Sequence, residues 1–197
     1  MHPPAPVTLE HPRVRLEPLE MKHLDGLKAA AADGALWQIR YTSVPEPAHT
    51  GDYIEQALAQ QRQGQRLPFA VIDTASATVV GSTSFHDIVP AIDRLEIGYT
   101  WYAKRLQRTH LNTCCKWLLM QHAFDTLGAA LVGWRTDILN LASQRAIERL
   151  GARKDGVLRH HAMRRDGSVR DTVMYSLSRD EWPGVDARLR QSMHDGA

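Results

Sequence analysis

Hydrophobic and polar positions change period twice along this chain. Early on, residues 21–32 carry Leu24 and Leu27 at helical spacing and stop at Asp33-Gly34, which predicts a helix. Thr50 reads as the cap of a second helix over 52–63, with Tyr53, Ile54, Ala57 and Leu58 on one face. A short strand precedes both at residues 14–17. The period then falls to two. Residues 69–72, 78–86 and 94–102 predict three strands, the first two joined by a hairpin turn at 73–77. On the third, Leu95, Ile97, Tyr99 and Trp101 are expected on one face, with Glu96, Gly98, Thr100 and Tyr102 on the other.

After residue 110 the helical period returns. Residues 110–127 are apolar almost all round, which predicts a buried central helix ending at Gly128. A strand at 130–136, a helix at 140–150 stopped by Gly151, a hairpin of strands 157–163 and 172–177, and a closing helix at 180–191 complete the series. The antiparallel meander followed by strand–helix–strand–helix argues for an α/β (α+β) domain with one locally parallel strand pair. It spans residues 13–191, behind a flexible arm at 1–12 that holds four prolines.

Composition narrows the picture. Of 197 residues, 43% are apolar and 23% charged, as in an ordinary globular domain. A net charge of +2 does not argue for nucleic acid. No run approaches the length of a membrane span, and no apolar signal core opens the chain. The expected setting is a reducing cytoplasm, with no metal site. Cys114 and Cys115 are neighbours in a helix, where a vicinal disulfide is not expected, so both read as buried thiols. His160 and His161 point to opposite faces of a strand and do not suit one metal.

The candidate chemistry centres on Gln107, Arg108, Thr109, His110, Leu111, Asn112 and Thr113, a polar turn between a strand and a helix. The first N–H groups of a helix lack internal partners and sit at the positive end of its dipole, so this turn predicts an anion site.

Three motifs then carry a resemblance. They are Glu96-Ile97-Gly98-Tyr99; the turn from Gln107 to Asn112; and Asn140-Leu141-Ala142-Ser143 followed by Ile147-Glu148-Arg149-Leu150-Gly151-Ala152. Their order resembles the GCN5-related N-acetyltransferase (GNAT) superfamily, in its ribosomal-protein-alanine-acetyltransferase-like (RimJ/RimL-type) branch, over roughly residues 14–177. His110 and Asn112 stand where the family's pyrophosphate signature has small residues, a departure that bears on cofactor affinity.

The resemblance implies a mixed, mostly antiparallel sheet of six to seven strands with a splayed central pair, flanked by helices. It implies transfer of acetyl from acetyl-CoA to a primary amine, on a protein N-terminus or a small molecule, by direct attack in a ternary complex. The backbone of Thr100, Trp101 and Tyr102 would pair with pantetheine, an N–H near Trp101 would meet the thioester oxyanion, and Gly98 would mark a bulge. Gln107 to Thr113 would hold the pyrophosphate. Glu96 would be the general base, the bland alternative being an ion pair with a basic neighbour. Asn140 would bind pantetheine, its other reading being a plain helix N-cap. Ser143 would protonate the departing thiolate, with Tyr102 and Tyr175 as alternatives. His86 is expected at the surface, its other reading being a place lining the acceptor cleft, and His122 as a satisfied core residue, while Trp37 and Tyr41 would line the acceptor side. A homodimer is implied as plausible. The rivals are a non-catalytic acyl-CoA-binding module of the same fold and, on Arg164, Arg165 and Arg170, a nucleic-acid-binding protein.

Overall fold

The computed structural model describes residues 1–195. Eight strands form one sheet in the order β1-β2-β3-β4-β5-β6-β8-β7. They are β1 (Leu9–His11), β2 (Val14–Pro18), β3 (Arg66–Asp73), β4 (Thr78–Val89), β5 (Arg94–Tyr102), β6 (Leu131–Asp137), β7 (Arg153–Met163) and β8 (Val169–Ser178). Every neighbouring pair is antiparallel except β5 and β6. The expected six to seven strands become eight because residues 9–11, placed in a loose arm by their flanking prolines, pair with β2. The rest of that segment is tied down as well. The His2 N–H donates to the Leu127 carbonyl, and Met1, Val7 and Leu9 pack on the core.

Five α-helices cover the sheet: α1 (Leu24–Ala32), α2 (Thr50–Arg62), α3 (Leu111–Gln121), α4 (Leu141–Leu150) and α5 (Trp182–Asp195). Two clusters of buried side chains divide the molecule. Leu27, Ala30, Ile54 and Ala57 of α1 and α2 pack with Ala70 and Trp101 on one face. Leu111, Cys115, Leu118, Ile147, Leu150 and Leu189 of α3, α4 and α5 pack with Phe69, Phe85, Leu95 and Tyr102 on the other.

Local chemistry sets the ends. The Asp73 carboxylate accepts from the N–H and hydroxyl of Ser76 and closes the β3–β4 turn. The second helix is led in by His49 without a side-chain cap. Thr50, expected as the cap, instead donates its hydroxyl to the Pro47 carbonyl. The long helix expected over 110–127 keeps α geometry only to Gln121, and His122–Leu127 widens into a π turn. Partners outside the helix take up the carbonyls this frees. Arg179 donates to the Phe124 carbonyl and His2 to that of Leu127.

The parallel β5–β6 pair is what positions the site. It is in register at only three places, Arg94 with Leu131, Leu95 with Val132 and Glu96 with Gly133. Beyond Glu96 the strands part, and β5 runs on to Tyr102 with no partner on that side. α3 starts after the open end of β5, and α4 after the open end of β6.

Candidate active site

At the splay, β5 does not keep the alternation its sequence suggests. Two residues, Tyr99 and Thr100, stand opposite Thr83 alone, and Tyr99 takes a left-handed φ of 50°. The bulge therefore lies at Tyr99, next to the expected Gly98, and it reverses the side-chain faces that follow. Trp101 turns toward α1 and α2, and Tyr102 toward α3. Gly98 has another task. A Cβ there would stand 2.2 Å from Nε2 of His86, so its absence makes room for that imidazole. A Cβ on Gly133 would likewise meet Cγ of Glu96 at 2.9 Å.

Backbone direction follows from the ladder. The Ala103 N–H donates to the Val80 carbonyl, and the polar groups of a strand alternate sides from one residue to the next. Trp101 thus aims its N–H and C=O at β4, with which it pairs through Ser82. Thr100 and Tyr102 aim theirs into the open side.

Glu96 is 1% exposed, at the last paired position before the splay. Arg135 of β6 grips it with two hydrogen bonds, Nε to Oε2 at 2.6 Å and Nη2 to Oε1 at 2.7 Å, and reaches Asp87 at 2.6 Å. Arg94, the basic neighbour considered from sequence, pairs with Asp87 instead. Burial raises the Glu96 pKa, and Arg135 only partly opposes it. Burial also acts to raise the Asp87 pKa, but its coupling to the neighbouring Glu96 carboxyl and the charges of Arg135 and Arg94 outweigh that and hold it low. Arg135 fills one lone pair on each Glu96 oxygen, so each oxygen keeps another acceptor site.

His86, expected at the surface, lies opposite Glu96 with Nε2 3.8 Å from Oε2. Burial and the nearby Arg135 push its pKa to about 3, so the imidazole is neutral at physiological pH. Tyr99 packs edge-on against it at 5.1 Å. The Arg66 guanidinium lies 3.9 Å from the centre of the Tyr99 ring and donates to Ser84 and Tyr53. His122, expected to be a satisfied core residue, has a buried Nε2 without a partner among the described residues and stacks on Phe85.

On the α3 face, the expected anion turn is only partly as read. Gln107, Arg108, Thr109 and His110 are exposed, while the Leu111 side chain is core. The Leu111 N–H is taken by the Thr109 hydroxyl at 3.3 Å. Arg108 adopts a left-handed φ of 63°, and His110 precedes the helix without capping it through its ring. Asn112 and Thr113, in the first turn, border a cavity of about 230 Å³ shared with Arg149, Leu150 and Arg188. Two arginines and a helix N-terminus therefore meet around one recess, which suits phosphate groups. Sequence reading missed Arg149 and Arg188, since they join the turn only through packing of α4 and α5.

Asn140 is the N-cap of α4, its Oδ1 accepting the Ser143 N–H at 3.1 Å. Its amide NH2 remains for another partner. Ser143 is half-buried in the first turn of α4. Of the alternative acids, Tyr102 donates to Asn112 at 3.3 Å and Tyr175 to Glu148 at 2.9 Å. Burial raises both phenols, Tyr175 to about 12.

The β7–β8 tip spans the cleft on the Glu96 side. Arg165 donates to the carbonyls of Trp37 and Val44 at 2.9 and 2.6 Å, and Arg40 stands 3.7 Å from Asp166. Arg164 clamps Asp137. Arg164 and Arg165 are thus committed inside the fold and do not form a nucleic-acid stripe.

A family model for the acetyltransferase (GNAT) domain matches residues 13–153. The chain belongs to the GNAT family of acetyltransferases. This GNAT chain is 32% identical to a GCN5-related N-acetyltransferase from Brucella melitensis, with a TM-score of 0.88 over 96% of this chain and 86% of that one. It is also 29% identical over 121 residues to YoaA, an uncharacterized N-acetyltransferase of Bacillus subtilis strain 168. That match spans 61% of this chain and 66% of YoaA, just under two thirds of its length. RimJ of Mycobacterium smegmatis, solved with CoA-disulfide, shares the fold at a TM-score of 0.79 and 19% identity, over 98% of this chain and 97% of that one. No helix among the described residues is long and apolar enough to cross a membrane.

Proposed function

We propose that this GNAT domain transfers acetyl from acetyl-CoA to a primary amine, by direct attack while both are bound. The observation that carries the reading is the parting of β5 and β6 after three paired positions, with free β5 backbone lying between two helix N-termini. Pantetheine is a chain of amides and can pair with the groups of Thr100 and Tyr102 as a strand would. A donor from that stretch then faces the thioester carbonyl and stabilises the charge that develops on it. The diphosphate rests at the start of α3, on the first-turn amides and the exposed residues Gln107 to His110, with Arg149 and Arg188 beside the adjoining recess. The fold relative RimJ was solved with CoA-disulfide, which supports a CoA compound as the ligand of this fold.

The amine enters on the opposite face, where Glu96 lies. An ammonium must lose its proton before it attacks. Glu96, with its pKa raised, accepts that proton through a water on the free lone pairs that Arg135 leaves. The bond to carbon forms, the C–S bond breaks, and Ser143 donates to the departing thiolate while Asn140 holds the pantetheine arm. The acceptor is a protein N-terminus, as in the RimJ/RimL-type branch, or a small amine. A cytoplasmic homodimer completes the reading.

The tight grip of Arg135 on Glu96 favours a second reading, a module that binds acyl-CoA without turnover. Two measurements separate them. Acetyl-CoA at a hundred times its Kd should stabilise the fold by about 2.7 kcal/mol, seen as a rise in Tm. Thiol release from acetyl-CoA should then accelerate with some member of a panel of amines and N-terminal peptides. A rise in Tm with no thiol release by any acceptor would favour the module, and no rise at millimolar acetyl-CoA would remove both.

A further inference from the structure

We propose that Arg170 receives a carboxylate of the acceptor, so that the amine acetylated is borne by a molecule that also carries a carboxylate, such as a short peptide with a free C-terminus. The inference rests on the acetyl-transfer reading above and specifies its acceptor. On the Glu96 side of β4, β5, β6 and β8, four guanidinium groups, Arg94, Arg135, Arg164 and Arg170, gather with three carboxylates, Asp87, Glu96 and Asp137. Asp87 holds Arg94 and Arg135, Glu96 holds Arg135 by two bonds, and Asp137 holds Arg164 by two. Each of these carboxylates is taken by another arginine, and Arg170 is left without one.

Arg170 is half-buried, and among the described residues its side chain makes no hydrogen bond, ion pair or ring contact. Its Nε is buried with no partner. Asp137 pairs with Thr172 and Arg135 with Met174, and Arg170, two residues beyond Thr172 on β8, projects from the same face of the sheet as these side chains. A buried donor without an acceptor is destabilising, and a buried charge without a partner more so. An oxyanion ligand would relieve both, and a guanidinium fork matches a carboxylate with two parallel bonds. Arg66 lacks a carboxylate too, yet its donors go to Ser84, Gln60 and Tyr53, and it lies against the rings of Tyr53 and Tyr99. It is satisfied within the fold, and Arg170 is not.

Spacing narrows the acceptor. Gly133, which is level with Glu96, pairs with Ser176, and Arg170 lies further along β8 toward the open end. Arg170 stands six residues from Ser176 along β8 and two strands from Glu96, so at about 3.3 Å per residue and about 4.8 Å per strand their backbones lie roughly 20 Å apart. That fits a peptide better than a free α-amino acid.

The test compares short peptides ending in a free carboxylate with the same peptides ending in an amide. Thiol release is followed for the wild type, Arg170→Met and Arg170→Lys, and binding is read as the rise in Tm in the presence of CoA. The wild type should show a KM about tenfold lower for the free acids than for the amides. Arg170→Met should lose that difference with its response to acetyl-CoA intact, and Arg170→Lys should regain part of it. Equal KM and equal Tm shifts for acids and amides in the wild type would overturn the proposal, as would an unchanged preference in Arg170→Met. Acids that raise Tm in an Arg170-dependent way without any thiol release would sustain the carboxylate site and refute the acetyl-transfer reading instead.

Discussion

Glu96 is pulled in two directions, and the outcome sets its chemistry. Burial disfavours its charged form, while the two bonds from Arg135 favour it; the balance leaves its pKa raised. A base must be deprotonated to work, so kcat/KM should climb with pH through the Glu96 titration. That rising limb lies above the ordinary glutamate pKa of 4.5. Arg135→Met removes the charge that holds the pKa down, so the limb should move to higher pH. Glu96→Gln should remove the limb and lower the neutral-pH rate by about 10²- to 10⁴-fold, with acetyl-CoA still raising Tm. A limb that stays in place in Arg135→Met would show that another group titrates. His86 is not that group, because its imidazole stays neutral above about pH 3. Alternation put Glu96 on a polar strand face, and only the resemblance singled it out as a base. Arg135 was not legible, because one strand's pattern says nothing about which strand lies beside it or where a parallel pair goes out of contact. His86 was misjudged for a related reason. Its burial depends on a neighbouring strand offering a glycine at the opposing position, and Gly98 was read for its own backbone only.

At the scale of elements, β5 and α3 meet through a buried amine. Lys116 of α3 is 5% exposed, and its Nζ donates to the Thr100 hydroxyl, which shares a hydrogen bond with Thr83 at 2.8 Å. The contact exists because the bulge at Tyr99 turns Thr100 toward α3. A helix-period reading treats Lys116 as an interruption in an apolar helix and cannot foresee that partner. The element boundaries of β5 were read correctly, and its faces after Tyr99 were not, since a single left-handed residue shifts the pleat without changing the alternation of letters. Burial lowers the Lys116 pKa to about 7, against an ordinary 10.5. Between those values the unfolded chain binds the extra proton and the folded chain does not. Stability therefore rises with pH across that window, and below about pH 7 the full penalty of burying the charge is present. Lys116→Met abolishes the titration. It should be more stable than the wild type at neutral pH, and the gap in Tm should narrow steadily from pH 7 to pH 10. A gap that does not change with pH would mean that the ammonium is solvated in the folded protein.

Across the whole molecule, the sheet is nearly two half-sheets. Strands β1 to β5 and strands β6 to β8 touch along three residue pairs, and the cleft opens beyond them. A strand pair this short restrains the open end weakly, so something else must fix the width of the cleft there. The β7–β8 tip does so, with Arg165 on the Trp37 and Val44 carbonyls and Arg40 near Asp166. These partners lie 128 and 121 residues from Arg165 in the chain. No local pattern could join them, although Trp37 and the hairpin tip were each legible as pieces. The tie crosses the Glu96 face, which we propose as the acceptor side, and leaves the α3 face, the proposed cofactor side, free. Arg165→Ala should therefore act on one substrate and spare the other. Two hydrogen bonds at about 1 kcal/mol each predict an acceptor KM raised by up to about 30-fold, with kcat little changed. The Tm shift with acetyl-CoA should match the wild type, and limited proteolysis should cut residues 37–44 faster. Equal loss of cofactor and acceptor binding would mean that the tip holds the two half-sheets together as a whole, and its role at the acceptor side would fall.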